Sequence, residues 1–118
     1  MIDHVLLAVS DLDRSATFYD AVFFALGARR MPADTGDLAW GVDGPVLEIA
    51  AGEMRPAGAG YLALRAAGKA AVDAAHAAGL EAGGGDAGAP GGRPQHGPRG
   101  YGGALRDPDG QRLELISR

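Results

Sequence analysis

One plan is written twice along this chain. A β-branched and Leu-rich run at residues 2–9 (IDHVLLAV) leads into a stretch where Leu12, Ala16, Tyr19, Phe23 and Leu26 recur at spacings of three and four. Short apolar runs follow and close on Val46-Leu47-Glu48-Ile49. Residues 60–66 (GYLALRA) and 69–78 (KAAVDAAHAA) restart the pattern, which closes on Arg112-Leu113-Glu114-Leu115. A repeat of about 55 residues in only two copies is too long for most solenoid units. The order strand, helix, strands instead predicts a βαβββ unit used twice. The expected fold is α+β: two βαβββ modules, pseudo-repeats 1–52 and 60–118, forming an open, partly barrelled mixed sheet around a cavity, with helices outside. At 118 residues the chain is sized for one domain, 1–118.

Local signals set the boundaries. Ser10 and Asp11 offer N-cap oxygens to a helix over 11–26, and Gly27 suits the left-handed position that ends one. Strands are expected near 28–33, 37–42 and 45–51, separated by turn residues at Asp34–Asp37 and Asp43–Pro45. In the second half a strand over 60–66 precedes an Ala-dense helix that Gly79 is expected to stop. Residues 83–103 hold 13 Gly or Pro, a density that excludes a central strand or helix interior and predicts a lid or mouth. Asp107-Pro108-Asp109-Gly110 has Pro and Gly where a type I turn wants them, so 101–106 and 111–117 form a hairpin.

Composition narrows the functions. Of the 47% hydrophobic residues 24 are Ala, and there are 20 Gly, so elements must approach closely over small side chains. Zero Cys excludes disulfides, thiolate metal sites and a Cys nucleophile. The net charge of −4, without a basic stripe, argues against nucleic acid. The longest apolar run, Ala21 to Leu26, is far short of a membrane span. Met1 runs directly into a strand pattern, so a cytoplasmic location is expected. Gly83–Gly88 (GGGDAG) matches a dinucleotide fingerprint literally, but no strand pattern precedes it and Ala89-Pro90-Gly91 follows where a helix should start. Gly68-Lys69 lacks the Ser or Thr and the first Gly of a phosphate loop. No G-x-S-x-G elbow is present.

Three ionisable residues stand at the centres of apolar strands: His4, Glu48 and Glu114. Period two places Glu114 on one strand face with Arg112 and Ile116, opposite Leu113 and Leu115. A carboxylate within an apolar sheet needs a cation, a metal or water. Their matching positions in the two repeats point to a shared polar cavity, the other reading being two solvated faces. Two carboxylates in one cavity raise each other's pKa unless a cation lies between them. Arg93, His96 and Arg99 cluster in the Gly/Pro segment. Arg93 is a candidate for gripping a substrate carboxylate or phosphate through its planar fork, or is simply a solvated loop charge. His76 is expected at the edge of the packed helix face, without a role.

Taken together, Ile2-Asp3-His4-Val5, the helix start Ser10-Asp11-Leu12-Asp13-Arg14-Ser15 with Phe18-Tyr19, Val46-Leu47-Glu48-Ile49, Gly60-Tyr61-Leu62-Ala63-Leu64, Ala89-Pro90-Gly91-Gly92-Arg93-Pro94 and Arg106-Asp107-Pro108-Asp109-Gly110 with Leu113-Glu114-Leu115 resemble the vicinal oxygen chelate superfamily. That group includes glyoxalase I, bleomycin and fosfomycin resistance proteins and extradiol dioxygenases. The resemblance covers essentially the whole chain. It implies a divalent metal (Zn, Mn, Fe or Ni) held by His4, Glu48 and Glu114, with Tyr61 where metal-dependent members often carry His. It also implies a glyoxalase-like lyase, isomerase or dioxygenase acting on a small oxygenated substrate, with Glu114 and Glu48 as catalytic carboxylates. The alternative is a metal-free protein that sequesters a drug or metabolite, as bleomycin resistance proteins do, its cavity lined by Tyr61, Arg93, Tyr101 and Trp40. A homodimer is expected in either case, because an open sheet leaves edges and a face exposed.

Overall fold

The structure is a computed structural model that describes residues 1–53 and 60–118. The first module runs β1 (Val5–Val9), α1 (Leu12–Ala25), β2 (Arg29–Met31), β3 (Leu38–Gly41) and β4 (Pro45–Ala51). The second runs β5 (Leu62–Arg65), α2 (Lys69–Glu81), β6 (Gly85–Gly92), a 3₁₀ turn at Pro94–His96, β7 (Tyr101–Arg106) and β8 (Arg112–Ser117). Each module forms one four-stranded mixed sheet, ordered β1-β4-β3-β2 and β5-β8-β7-β6. The first and last strands of each module pair in parallel, Leu6 against Glu48 and Ala63 against Glu114. The two sheets stay separate and no barrel closes among the described residues.

Both helices cover one face of their sheets and meet each other. A single core joins the modules: Phe18, Tyr19, Val22 and Phe23 of α1, Trp40, Leu47 and Ile49 of the first sheet, Val72 and Ala75 of α2, and Leu105, Leu113 and Leu115 of the second sheet. Strand alternation then leaves His4, Leu6 and Glu48 on the helix-free face of the first sheet, and Ala63, Arg112, Glu114 and Ile116 on that of the second.

The local signals act as anticipated at three places. Asp11 caps α1, its carboxylate accepting from Arg14 N at 3.0 Å. Gly27, at φ +84°, takes the left-handed position after the helix. Gly110, at φ +92°, closes the Asp107 turn, donating to Asp107 O at 2.9 Å. Asp107 is buried and accepts from Asp109 N, Gln111 N and the Tyr19 hydroxyl. The turn of the second module is thereby fastened to α1. Ser10 and Arg14 add bonds to Asp109, including Ser10 N to Oδ2 at 3.0 Å.

Four expectations need correction. β1 and β5 start at Val5 and Leu62 rather than at 2 and 60. Gly79 does not stop α2, which continues to Glu81; a Cβ at Gly79 would lie 2.6 Å from Leu105 and 3.1 Å from Val22, so glycine there permits close packing between modules. Residues 83–103 are not a loop lid, because Gly85–Gly92 is β6. It is an edge strand with two register shifts against β7, a position where Pro90 and its missing N–H are tolerated. His76 is buried rather than marginal, and bonds Asp86 at 3.1 Å.

Candidate functional site

Glu48 is fully buried on β4 and every lone pair it presents is engaged. Oε1 accepts from Thr35 N and Gly36 N, both at 3.1 Å; Oε2 accepts from Thr35 Oγ1 at 3.4 Å and faces His4 Nε2 at 2.8 Å. Burial pushes its pKa up, but the N–H groups of Gly36, Thr35 and Asp34, with His4 beside them, outweigh that and hold it below the ordinary carboxylate value. The mutual elevation expected for Glu48 and Glu114 therefore does not arise at Glu48, because it has donors of its own and His4 beside them. His4 Nδ1 in turn lies 2.7 Å from Asp3. That bond, foremost, raises the His4 pKa against the opposing effect of burial, and Glu48 adds to it. His4 thus has a carboxylate at each ring nitrogen, Asp3 at Nδ1 and Glu48 at Nε2, an arrangement that favours its protonated form.

Glu114 belongs to a different group, in the second sheet. Its Oε1 accepts from Arg112 Nη2 at 2.8 Å and from Nε at 3.3 Å. The same guanidinium stands 5.9 Å over the ring of Tyr61, which is half exposed. The structure thus brings His4 to Glu48, and Tyr61 to Arg112 and Glu114, without bringing the two sets together within one chain. Among the described residues the grouping whose potential ligand atoms lie within 4.8 Å of one another is Asp3, His4 and Asp34, and it omits both glutamates.

Tyr101 and Trp40 face the helices. Tyr101 donates to Asp73 of α2 at 2.6 Å, and Trp40 is core, stacked 5.9 Å from Phe23 and bonded to Asp20. Arg93 lies along the helix-free side of the second sheet, donating to the carbonyls of Gly92 and Ala89. Thr35 escaped sequence reasoning, and Arg112 was read as a neighbour of Glu114 without a role. Thr35 sits in a segment legible only as a turn. Arg112 was placed beside Glu114 by period two, and that adjacency was the signal for the ion pair.

His4, Glu48 and Glu114, the set that the resemblance assigns to a metal, are not gathered around one point within the chain, so this set does not fit a divalent ion there. His4 has a carboxylate at each ring nitrogen, and a metal would have to displace one of them together with any proton between them. Glu48 is saturated by four protein donors, and Arg112 already supplies positive charge at Glu114. Tyr61 stands under that same guanidinium rather than beside His4.

Paired βαβββ modules with ionisable residues on their helix-free faces define the class of protein. The family model described as the Glyoxalase/Bleomycin resistance protein/Dioxygenase superfamily matches residues 1–115, and the chain belongs to that superfamily. It is similar to the crystal structure of a glyoxalase/bleomycin resistance protein from Albidiferax ferrireducens, at 31% identity and TM-score 0.85, covering 98% of this chain and 97% of that one. The fold alone is shared with a glyoxalase-related enzyme from Fulvimarina pelagi (21% identity, TM-score 0.76, covering 98% and 86% of the two chains). The same holds for the fosfomycin resistance protein FosX from Mesorhizobium loti (21%, 0.73, covering 100% and 94%). No curated protein matches the chain.

Proposed function

We propose that this protein binds a small molecule without a metal, on the helix-free faces of its two sheets. One observation carries the reading: each carboxylate that the resemblance assigns to a metal is already engaged by a side chain of the protein, Glu48 by His4 and Glu114 by Arg112, each at 2.8 Å. Tyr61 and Arg93 contribute to the ligand surface on the second sheet, and Leu6 on the first. A second copy of the chain completes the cavity. The support is that Leu6, Val46 and Tyr61 are 47%, 48% and 53% exposed, and that apolar faces of this kind are normally covered. No helix among the described residues is long and apolar enough to cross a membrane, and we assign the protein to the cytoplasm.

Metal analysis of untagged protein from metal-replete growth tests the reading. The expected result is less than stoichiometric Zn, Mn, Fe and Ni. One equivalent of any of them per chain, surviving dialysis, contradicts it. Light scattering at micromolar concentration is expected to give the dimer mass.

A further inference from the structure

The helix-free face of the second sheet is strongly cationic in a chain whose net charge is −4. Directly paired residues project from the same face of a sheet. The register Ala63–Glu114–Ala104–Gly88 therefore forms one row across all four strands. The neighbouring row pairs Arg65 with Ile116, and Ile116 with Gly102. The row beyond Glu114 sets Arg112 directly against Arg106. Like charges directly opposite one another are destabilising. Arg112 is relieved by Glu114, whereas Arg106 has only the carbonyl of Gly110.

Arg93, directly after β6, completes the arrangement. A Cβ placed on Gly102 would come 3.3 Å from its Cγ, one on Gly91 3.5 Å from its Nη1, and one on Gly88 3.8 Å from its Nη2. The glycines at these positions open a trough in which the side chain lies, and the carbonyls of Ala89 and Gly92 fix its fork. Those carbonyls occupy two of the five guanidinium N–H donors. Arg65, Arg93 and Arg106 have no carboxylate partner among the described residues. Arg65, Arg106 and Arg112 by register, and Arg93 by these contacts, thus surround a floor of Gly and Ala that carries one carboxylate, itself already paired.

We propose that this face is an oxyanion-binding surface, taking the phosphate, phosphonate or carboxylate group of a small molecule over the Gly88–Ala104 floor, with Arg93 as its prearranged fork. A guanidinium held flat by backbone carbonyls loses little freedom when a planar or tetrahedral oxyanion docks on its remaining donors. Arg112 and Arg106 supply charge from the other side of the floor, and the exposed ring of Tyr61 offers a stacking surface to the body of the ligand. The proposal rests on the metal-free reading above, since a divalent ion at Glu114 would bind an oxyanion by itself.

The test is calorimetric titration of the full chain with phenylphosphonate, benzoate, inorganic phosphate and neutral benzyl alcohol at fixed ionic strength. Phenylphosphonate or benzoate is expected to bind at least tenfold more tightly than benzyl alcohol. Arg93→Met is expected to weaken the anion tenfold or more, with Arg93→Lys recovering only part of the loss because it restores charge without the fork. Arg106→Met, which leaves the Arg93 trough intact, is expected to weaken binding severalfold, and Arg29→Met on the first sheet to change nothing. Equal affinity for benzyl alcohol, or equal affinity in wild type, Arg93→Met and Arg106→Met, overturns the proposal. Repeating the titration with added Zn²⁺ separates the two claims. Anion binding that requires Zn²⁺ overturns the arginine surface, whereas a stoichiometric metal beside metal-independent anion binding contradicts only the metal-free reading.

Discussion

The two modules share a topology and divide the physical work. The first concentrates the aromatic core: Phe18, Tyr19, Phe23 and Trp40 lie within 6.3 Å of one another in successive ring contacts. Its helix begins with the Asp11 cap. The second packs Val72, Ala75, Leu105, Leu113 and Leu115, begins α2 at Gly68 without a side-chain cap, and spends its arginines on the open face. The turns that join the last two strands of each module differ in the same sense. Asp107–Gly110 is bonded to α1 through Tyr19 and Arg14, and to Ser10 just before it. Its counterpart at Gly41–Gly44 instead borders an open hollow of about 350 Å³ beside Leu64 and Arg65. Duplicating a unit therefore fixes the fold twice over, and lets one copy secure packing while the other carries charge.

The largest effect should come from the aromatic cluster. Trp40→Ala is expected to cost about 3–5 kcal/mol, read by urea denaturation; a loss under about 1 kcal/mol would break the assignment of packing to the first module. Next is the seam between the modules. Asp107→Ala removes the acceptor of three buried or half-buried donors and should cost on the order of 2–3 kcal/mol. Asp43→Ala, at the equivalent turn, should stay within about 0.5 kcal/mol. Similar losses at both would mean that the seam is as tight on one side as on the other.

The His4–Glu48 contact gives a smaller, pH-dependent contribution. The folded pKa of His4 is raised, so its stabilisation is complete below the model-compound value of 6.5 and fades as pH rises through the folded value. The folded pKa of Glu48 is lowered, so its stabilisation is complete above 4.5 and fades as pH falls through the folded value. Both are present together between pH 4.5 and 6.5. The Tm advantage of wild type over His4→Asn should be greatest near pH 6 and shrink toward pH 9, whereas an advantage that grows with pH would contradict a raised His4 pKa. Smallest of all, Gly68→Ser supplies the cap that α2 lacks, in an extended conformation open to any residue. It should raise stability by a few tenths of a kcal/mol.

Most of the fold was legible because duplication, helical spacing and the Asp107 turn are local signals. Two of the misreadings, at Gly79 and in β6, share a physical origin in glycine, which ends helices and breaks strands unless a neighbour comes too close for a side chain. At Gly79 the neighbours are Leu105 and Val22, and nothing within α2 announces them. In β6 the glycines leave room for Arg93, so pairing with β7 prevails over weak intrinsic propensity. At the candidate site, His4, Glu48 and Glu114 stood out as charges in apolar strands. What each charge pairs with depended on contacts from Thr35, Gly36 and Asp3, which no periodicity encodes.

The central claim is that the protein's own side chains engage the carboxylates that a metal would, and Glu114 is its most direct probe. Thermal melts of wild type and Glu114→Gln, each with and without added Zn²⁺ or Mn²⁺, should show the same small response to either ion, because Glu114 answers to Arg112 and not to a metal. A Tm rise of several degrees in wild type that disappears in Glu114→Gln would contradict the account.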